Sequence, residues 1–85
     1  MNGAELVTLF SRLNTGQLPQ AYAELLRGFE RARDPAEVDQ HAETITELLW
    51  ALKTGAVVTP EQVQVMSNEM RHALRAARQR LGVAP

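Results

Sequence analysis

Residues 34–62, DPAEVDQHAETITELLWALKTGAVVTPEQ, carry the strongest structural signal in this chain. They open on Asp34-Pro35-Ala36-Glu37, which combines an acceptor side chain, a proline for the first helical position and a glutamate three residues after the cap. This pattern is typical of a helix start. Apolar residues then recur at helical spacing, and Lys53 and Gly55 form a typical helix end. We therefore predict a helix at 35–54.

The same start pattern returns after a short loop. Thr59 and Gln62 have the spacing of a reciprocal capping box, and Pro60 occupies the first helical position. An apolar stripe then continues as far as Gly82, which predicts a helix at 60–81. Because short loops join antiparallel neighbours, the two long helices are predicted to form an antiparallel hairpin.

Two shorter helices precede this hairpin. Asn2 and Glu5 have capping-box spacing, and a glycine-containing turn ends the first helix, which is predicted at 3–14. Pro19 begins a second apolar stripe, which is predicted to form one helix at 19–33. No alternating strand pattern or β-hairpin turn competes with these assignments.

The predicted fold class is all-α, a small antiparallel helical bundle of four helices built on the hairpin of the third and fourth helices. Its 85 residues, of which 45% are apolar, form one predicted domain, residues 1–85. The chain has no cysteine, which excludes disulfides and thiolate metal sites. It has no apolar run of membrane-spanning length, and its first residues do not resemble a signal peptide. We therefore expect a soluble, cytoplasmic protein that does not enter a membrane.

Catalytic patterns are missing from the sequence. Ser11 and Ser67 are not in a nucleophile elbow, and the glycines are too scattered for a phosphate-binding loop. His41 and His72 each have a glutamate one turn earlier, but the other helices place no carboxylate on their apolar stripes to complete a metal site. His41 is instead expected to donate a hydrogen bond to the fourth predicted helix. The chain is predicted not to be an enzyme and to hold no cofactor or metal.

Charge is segregated along the chain although the net charge is only −1. Residues 34–47 are acidic and residues 71–80 are basic, and Arg71, Arg75 and Arg78 share one helical face. One interpretation is a phosphate-binding strip for nucleic acid. The other is that the antiparallel hairpin places the two clusters side by side, where each also suits its own helix dipole. The second is favoured because a DNA-binding domain usually carries a net positive charge.

Trp50 stands apart from the apolar stripe of its helix, about 140° from Ile45 on a helical wheel. It fills a second contact inside the bundle, or it is an exposed anchor for a partner. Burial is favoured because large aromatic side chains are mostly buried. Met66 and Met70 lie one turn apart on the fourth stripe, where a core position is favoured over an adaptable binding surface.

We hypothesise a small protein–protein interaction module without catalytic activity: an adaptor, an export-type chaperone or an inhibitor of a larger bacterial or phage assembly. Its partner is another protein, and homodimerisation is a further expectation because Val65 and Ala76 widen the apolar surface of the fourth helix. A DNA-binding regulator that uses the fourth helix is one alternative, and a structural subunit of a homo-oligomer is another. The candidate partner-binding residues are Trp50, Met66, Met70, Arg71, Arg75 and Arg78.

Overall fold

The structure is a computed structural model that describes residues 3–13 and 16–82. Within these residues the fold is all-α and contains no strand. The predicted cap at Asn2, residue 14 and the last three residues lie outside the described part. The first predicted helix, 3–14, is too long, because its helical residues end at Ser11 and the described residues Arg12 and Leu13 are not helical. The helices are α1 (Gly3–Ser11), α2 (Leu18–Leu26), α3 (Gly28–Arg31), α4 (Pro35–Thr54) and α5 (Pro60–Arg80).

The start of α4 and the start of α5 are fixed by the predicted caps. The Asp34 carboxylate accepts a hydrogen bond of 2.8 Å from the backbone N–H of Glu37. The Thr59 hydroxyl accepts one from the N–H of Gln62, and the Gln62 side chain accepts one from the N–H of Thr59, so the capping box is complete. Each cap satisfies N–H groups that a helix start leaves without an intrahelical partner.

Helix α4 ends at Thr54, as predicted, but the residue with the left-handed backbone after it is not the predicted glycine. Gly55 was the predicted stop, but it has a φ of −81°, and the left-handed position belongs to Ala56 with a φ of 57°. The N–H of Val57 donates to the carbonyl of Leu52, and the N–H of Ala56 donates to that of Lys53. These two bonds define a Schellman motif, which places the left-handed residue two positions after the last helical one. The loop then returns Val58 to the core, where it is buried.

Contacts between side chains set the register of the long hairpin. Arg78 on α5 bonds to Asp39 on α4, and Thr46 on α4 meets Met70 on α5. Residues early in α4 therefore lie beside residues late in α5, so the two helices run antiparallel. The core is centred on α4, whose buried residues pack against α1, α3 and α5. These α4 residues are Val38, Ile45, Leu48, Leu49 and Leu52.

The second predicted helix, 19–33, is divided at Arg27 into α2 and α3. His41 on α4 approaches this point, and its Nε2 donates a 2.8 Å hydrogen bond to the carbonyl of Leu25. The expectation that His41 bonds to the fourth predicted helix is therefore wrong, because its acceptor lies on α2. The carbonyls of Phe29 and Ala32 at the end of α3 accept hydrogen bonds from the Arg80 guanidinium. A basic side chain of α5 thus caps α3, which holds the short helix against the hairpin.

Candidate partner-binding surfaces

Trp50 lies on the surface of α4, where its side chain is 68% exposed. The burial favoured from the sequence is wrong. Asp39 and Trp50 are eleven residues apart, which places them within about 20° on one helical stripe, and Thr46 lies between them. Because Asp39 and Thr46 both contact α5, this stripe borders the groove between the two long helices. The indole therefore stands at the edge of α4 that faces the arginines of α5.

The arginines of α5 lie on the same side of the hairpin. Arg71, Arg75 and Arg78 line a shallow cleft of about 210 Å³ together with Leu74. Arg78 is half-buried and pairs with Asp39 at 2.9 Å, which is the one ion pair between the acidic and basic clusters in the described residues. Such a partly exposed pair contributes only about 0–1 kcal/mol.

Arg71 and Arg75 are exposed and form no hydrogen bond or ion pair with any described residue. The hairpin register places Trp50 level with residues 66–67 of α5, so the arginines begin about one turn beyond it. We call the surface formed by Trp50, Arg71, Leu74, Arg75 and Arg78 the hairpin face. It combines one exposed aromatic side chain with a row of cations.

The two methionines have different positions. Met66 is buried, so the core interpretation is confirmed for it and its side chain is not on the hairpin face. Met70 is half-buried against the core, with its sulfur 3.7 Å from the Thr46 hydroxyl. It lies beneath the hairpin face and supports it.

A second apolar surface lies on another side of α5. Leu18, Pro19 and Tyr22 of α2 and Val65 and Met66 of α5 form the walls of a groove of about 380 Å³. Val65 is 58% exposed there. The sequence indicated that Val65 widens the apolar surface of its helix. It did not indicate the wall that α2 supplies, because that wall forms only when the two helices pack together.

Tyr22 joins the two walls of this groove. Its buried hydroxyl donates a 2.7 Å hydrogen bond to the backbone carbonyl of Met66. Burial raises the pKa of Tyr22 well above its ordinary value, and the nearby negative charge of Glu69 raises this pKa further. Both causes disfavour the phenolate, so the neutral, donating form of the side chain is the one that the fold requires.

Tyr22→Phe is therefore expected to change how stability depends on alkaline pH. Because the folded pKa is raised, the unfolded chain loses its phenolic proton first, from about pH 10. The contribution of neutral Tyr22 to the free energy of unfolding is fully present below that pH. It falls by about 1.4 kcal/mol per pH unit as the pH rises towards the folded pKa. Urea unfolding of both proteins at pH 8 and above pH 10 measures this difference. At pH 8 the free energy of unfolding of the variant should be about 1 kcal/mol lower than that of the wild type, because the hydrogen bond is lost. Above pH 10 the variant should not show the further loss that Tyr22 causes in the wild type. Equal pH dependence of stability in the two proteins would contradict a raised pKa of Tyr22.

In residues 3–13 and 16–82, no three histidine, cysteine or acidic side chains are grouped so as to hold a metal ion. No helix in the same part of the chain is both long enough and apolar enough to cross a membrane. Comparisons of the chain with models of known protein families, with curated proteins and with solved structures find no match.

Proposed function

We propose that this chain is a cytoplasmic protein–protein interaction module that binds another protein through the hairpin face. In this proposal the helices form an antiparallel four-helix bundle, with α2 and α3 acting as one bent helix. The module acts by occupying a site on a larger assembly, as an adaptor, an export-type chaperone or an inhibitor does, and it carries out no chemistry of its own.

The exposure of Trp50 is the observation that supports this proposal. Tryptophan is enriched among the residues that dominate binding energy at interfaces. Covering the exposed part of its side chain removes on the order of 150 Å² of apolar area from water, which is worth up to about 4 kcal/mol before the costs of association. No other large apolar side chain in the described residues is as exposed.

The charges beside Trp50 define the chemistry of the partner. Arg71 and Arg75 have no partner among the described residues, so their guanidinium groups are free to pair with carboxylates. The complementary surface is an apolar pocket for the indole with acidic side chains beginning about one helical turn away. Complementary charge of this kind chiefly sets the rate of encounter and the orientation of the complex.

Trp50→Ala is expected to weaken capture of the partner by at least about 30-fold, the loss typical of a hot-spot residue. The measurement is quantitative crosslinking and affinity purification from the native host with the wild type and the variant. Leu9→Ala is the matched control, because it also removes an exposed apolar side chain but lies on α1. Recovery of the same proteins in equal amount with wild type and Trp50→Ala would contradict the proposal.

The fluorescence of Trp50 gives a second readout, because it is the single tryptophan of the chain. The isolated protein should emit as a solvent-exposed indole that soluble quenchers reach, and the emission should shift to the blue on binding. A blue-shifted emission that resists quenching in a proven 9.4 kDa monomer would contradict the exposed anchor. A blue shift that grows with protein concentration and accompanies a doubled mass would favour the homo-oligomer instead.

DNA binding by the same arginines is the other alternative, and a gel shift separates it from protein binding. It requires a mobility shift that falls steeply with salt and that Arg75→Ala weakens. Because Arg78 is already paired with Asp39, fewer cations are free for phosphate than the sequence indicates. A salt-sensitive shift that Trp50→Ala leaves unchanged would favour the regulator over the interaction module.

A further inference from the structure

The groove between α2 and α5 is separate from the hairpin face. Val65 in its wall lies about 110° around α5 from the centre of the three arginines. The walls are apolar, and Pro19 and Tyr22 make the α2 side stiff as well as apolar. Binding clefts in proteins typically have volumes of about 300–1,000 Å³ with mostly apolar walls, and this groove of about 380 Å³ lies in that range.

Two carboxylates stand on the α5 rim of this groove. Glu61 precedes Val65 by one turn and Glu69 follows it by one turn, so the three residues form a single row. Both glutamates are exposed, and neither has a hydrogen bond or an ion pair with any residue in the ranges 3–13 and 16–82. No basic side chain lines the groove among the described residues. The rim therefore has unpaired negative charge at two points that flank an apolar centre.

We propose that this groove binds a basic amphipathic helix of a partner protein. The row from Glu61 to Glu69 is about 12 Å long, which corresponds to about two turns of helix. Both walls are helices and offer no strand edge, so a bound segment must satisfy its own backbone hydrogen bonds, which a helix does. Its apolar side chains cover Val65, Pro19 and Leu18, and two lysines or arginines about two turns apart pair with the glutamates.

A designed peptide tests this proposal directly. The probe is a fluorescently labelled helical peptide with leucines repeating along one face and two lysines two turns apart, measured by anisotropy. A control peptide has glutamates in place of the lysines. The lysine peptide is expected to bind with an affinity that falls as salt rises, and the glutamate peptide is expected not to bind.

Two variants alter the groove at exposed positions. Glu61→Gln combined with Glu69→Gln should weaken peptide binding by about tenfold or more and flatten its salt dependence, because the charge partners are lost. Val65→Arg should weaken it at least as much by placing a cation in the apolar centre. The matched control, Glu30→Gln combined with Glu47→Gln, removes the same charge away from the groove and should bind as the wild type does. Circular dichroism establishes that each variant is folded.

Three results would overturn the proposal. If the control double variant at Glu30 and Glu47 weakens peptide binding equally, the peptide is attracted to the net charge and not to this groove. If neither groove variant changes binding, the peptide binds elsewhere on the protein. A doubled mass without peptide that Val65→Arg abolishes would identify a second copy of the chain as the occupant. Trp50→Ala should leave peptide binding unchanged, so the groove and the hairpin face succeed or fail separately.

Discussion

Phe29→Ala is expected to destabilise the fold by about 3–5 kcal/mol, which is the range for truncating a buried phenylalanine. Phe29 is only 1% exposed, and its ring packs edge-on against His41 with the ring centres 4.7 Å apart. It is the largest side chain that the four-residue helix α3 buries. Thermal unfolding followed by circular dichroism should show a midpoint roughly 12–40 °C lower, because a domain of this size loses about 4–8 °C per kcal/mol.

Two controls separate the causes of this loss. Phe29→Leu keeps an apolar side chain but loses the aromatic contact with His41, so it should cost substantially less than Phe29→Ala. Leu9→Ala removes a side chain that is 44% exposed, so its loss of folding free energy should be less than half that of Phe29→Ala. A Phe29→Ala loss below about 1 kcal/mol would mean that α3 is not docked through this ring.

The long hairpin is predictable from sequence because its determinants are local. The caps at Asp34 and Thr59 act within three residues, and a glycine or a proline marks each end. The charge complementarity of the hairpin is predictable only in part. Arg78 pairs with Asp39, whereas Arg80 turns to the carbonyls at the end of α3. The sequence offers no signal for that choice, because the carbonyls come together only when α3 packs beside α5.

The position of Trp50 is not predictable from its helical wheel. An off-stripe tryptophan is buried when a second helix covers its side of α4 and exposed when none does. In the structure α1 packs on α4, while the stripe with Asp39 and Thr46 contacts α5. Exposure of the indole therefore depends on tertiary placement. The groove beside Val65 is hidden from sequence for the same reason, since its two walls are separated by some forty residues of chain.

The break between α2 and α3 at Arg27 lies beside a contact that sequence periodicity does not show. Gly28 continues the helical pattern, and nothing near it in sequence requires a glycine. The requirement comes from α4, because a Cβ at this position would lie 2.5 Å from Nε2 and 2.6 Å from Cε1 of His41. The ring is itself fixed by its hydrogen bond to Leu25 and by its contact with Phe29. The missing side chain of Gly28 makes room for the imidazole.

Gly28→Ala is therefore expected to destabilise the protein by about 2 kcal/mol even though alanine is the better helix former. The added methyl group displaces the imidazole, which costs about 1–3 kcal/mol in overpacking and about 1 kcal/mol for the lost hydrogen bond. The gain in helix propensity offsets only about 1 kcal/mol of this. Urea unfolding of the wild type and the variant measures the difference.

The same substitution in a His41→Ala background should have the opposite sign. Without the imidazole the added methyl group meets no obstacle, so the helix propensity remains and Gly28→Ala should stabilise by up to about 1 kcal/mol. The two effects together give a coupling energy of about 2–3 kcal/mol between positions thirteen residues apart, which is in the range for residues in direct contact. Equal costs in both backgrounds would show that Gly28 is required for a reason other than the approach of His41.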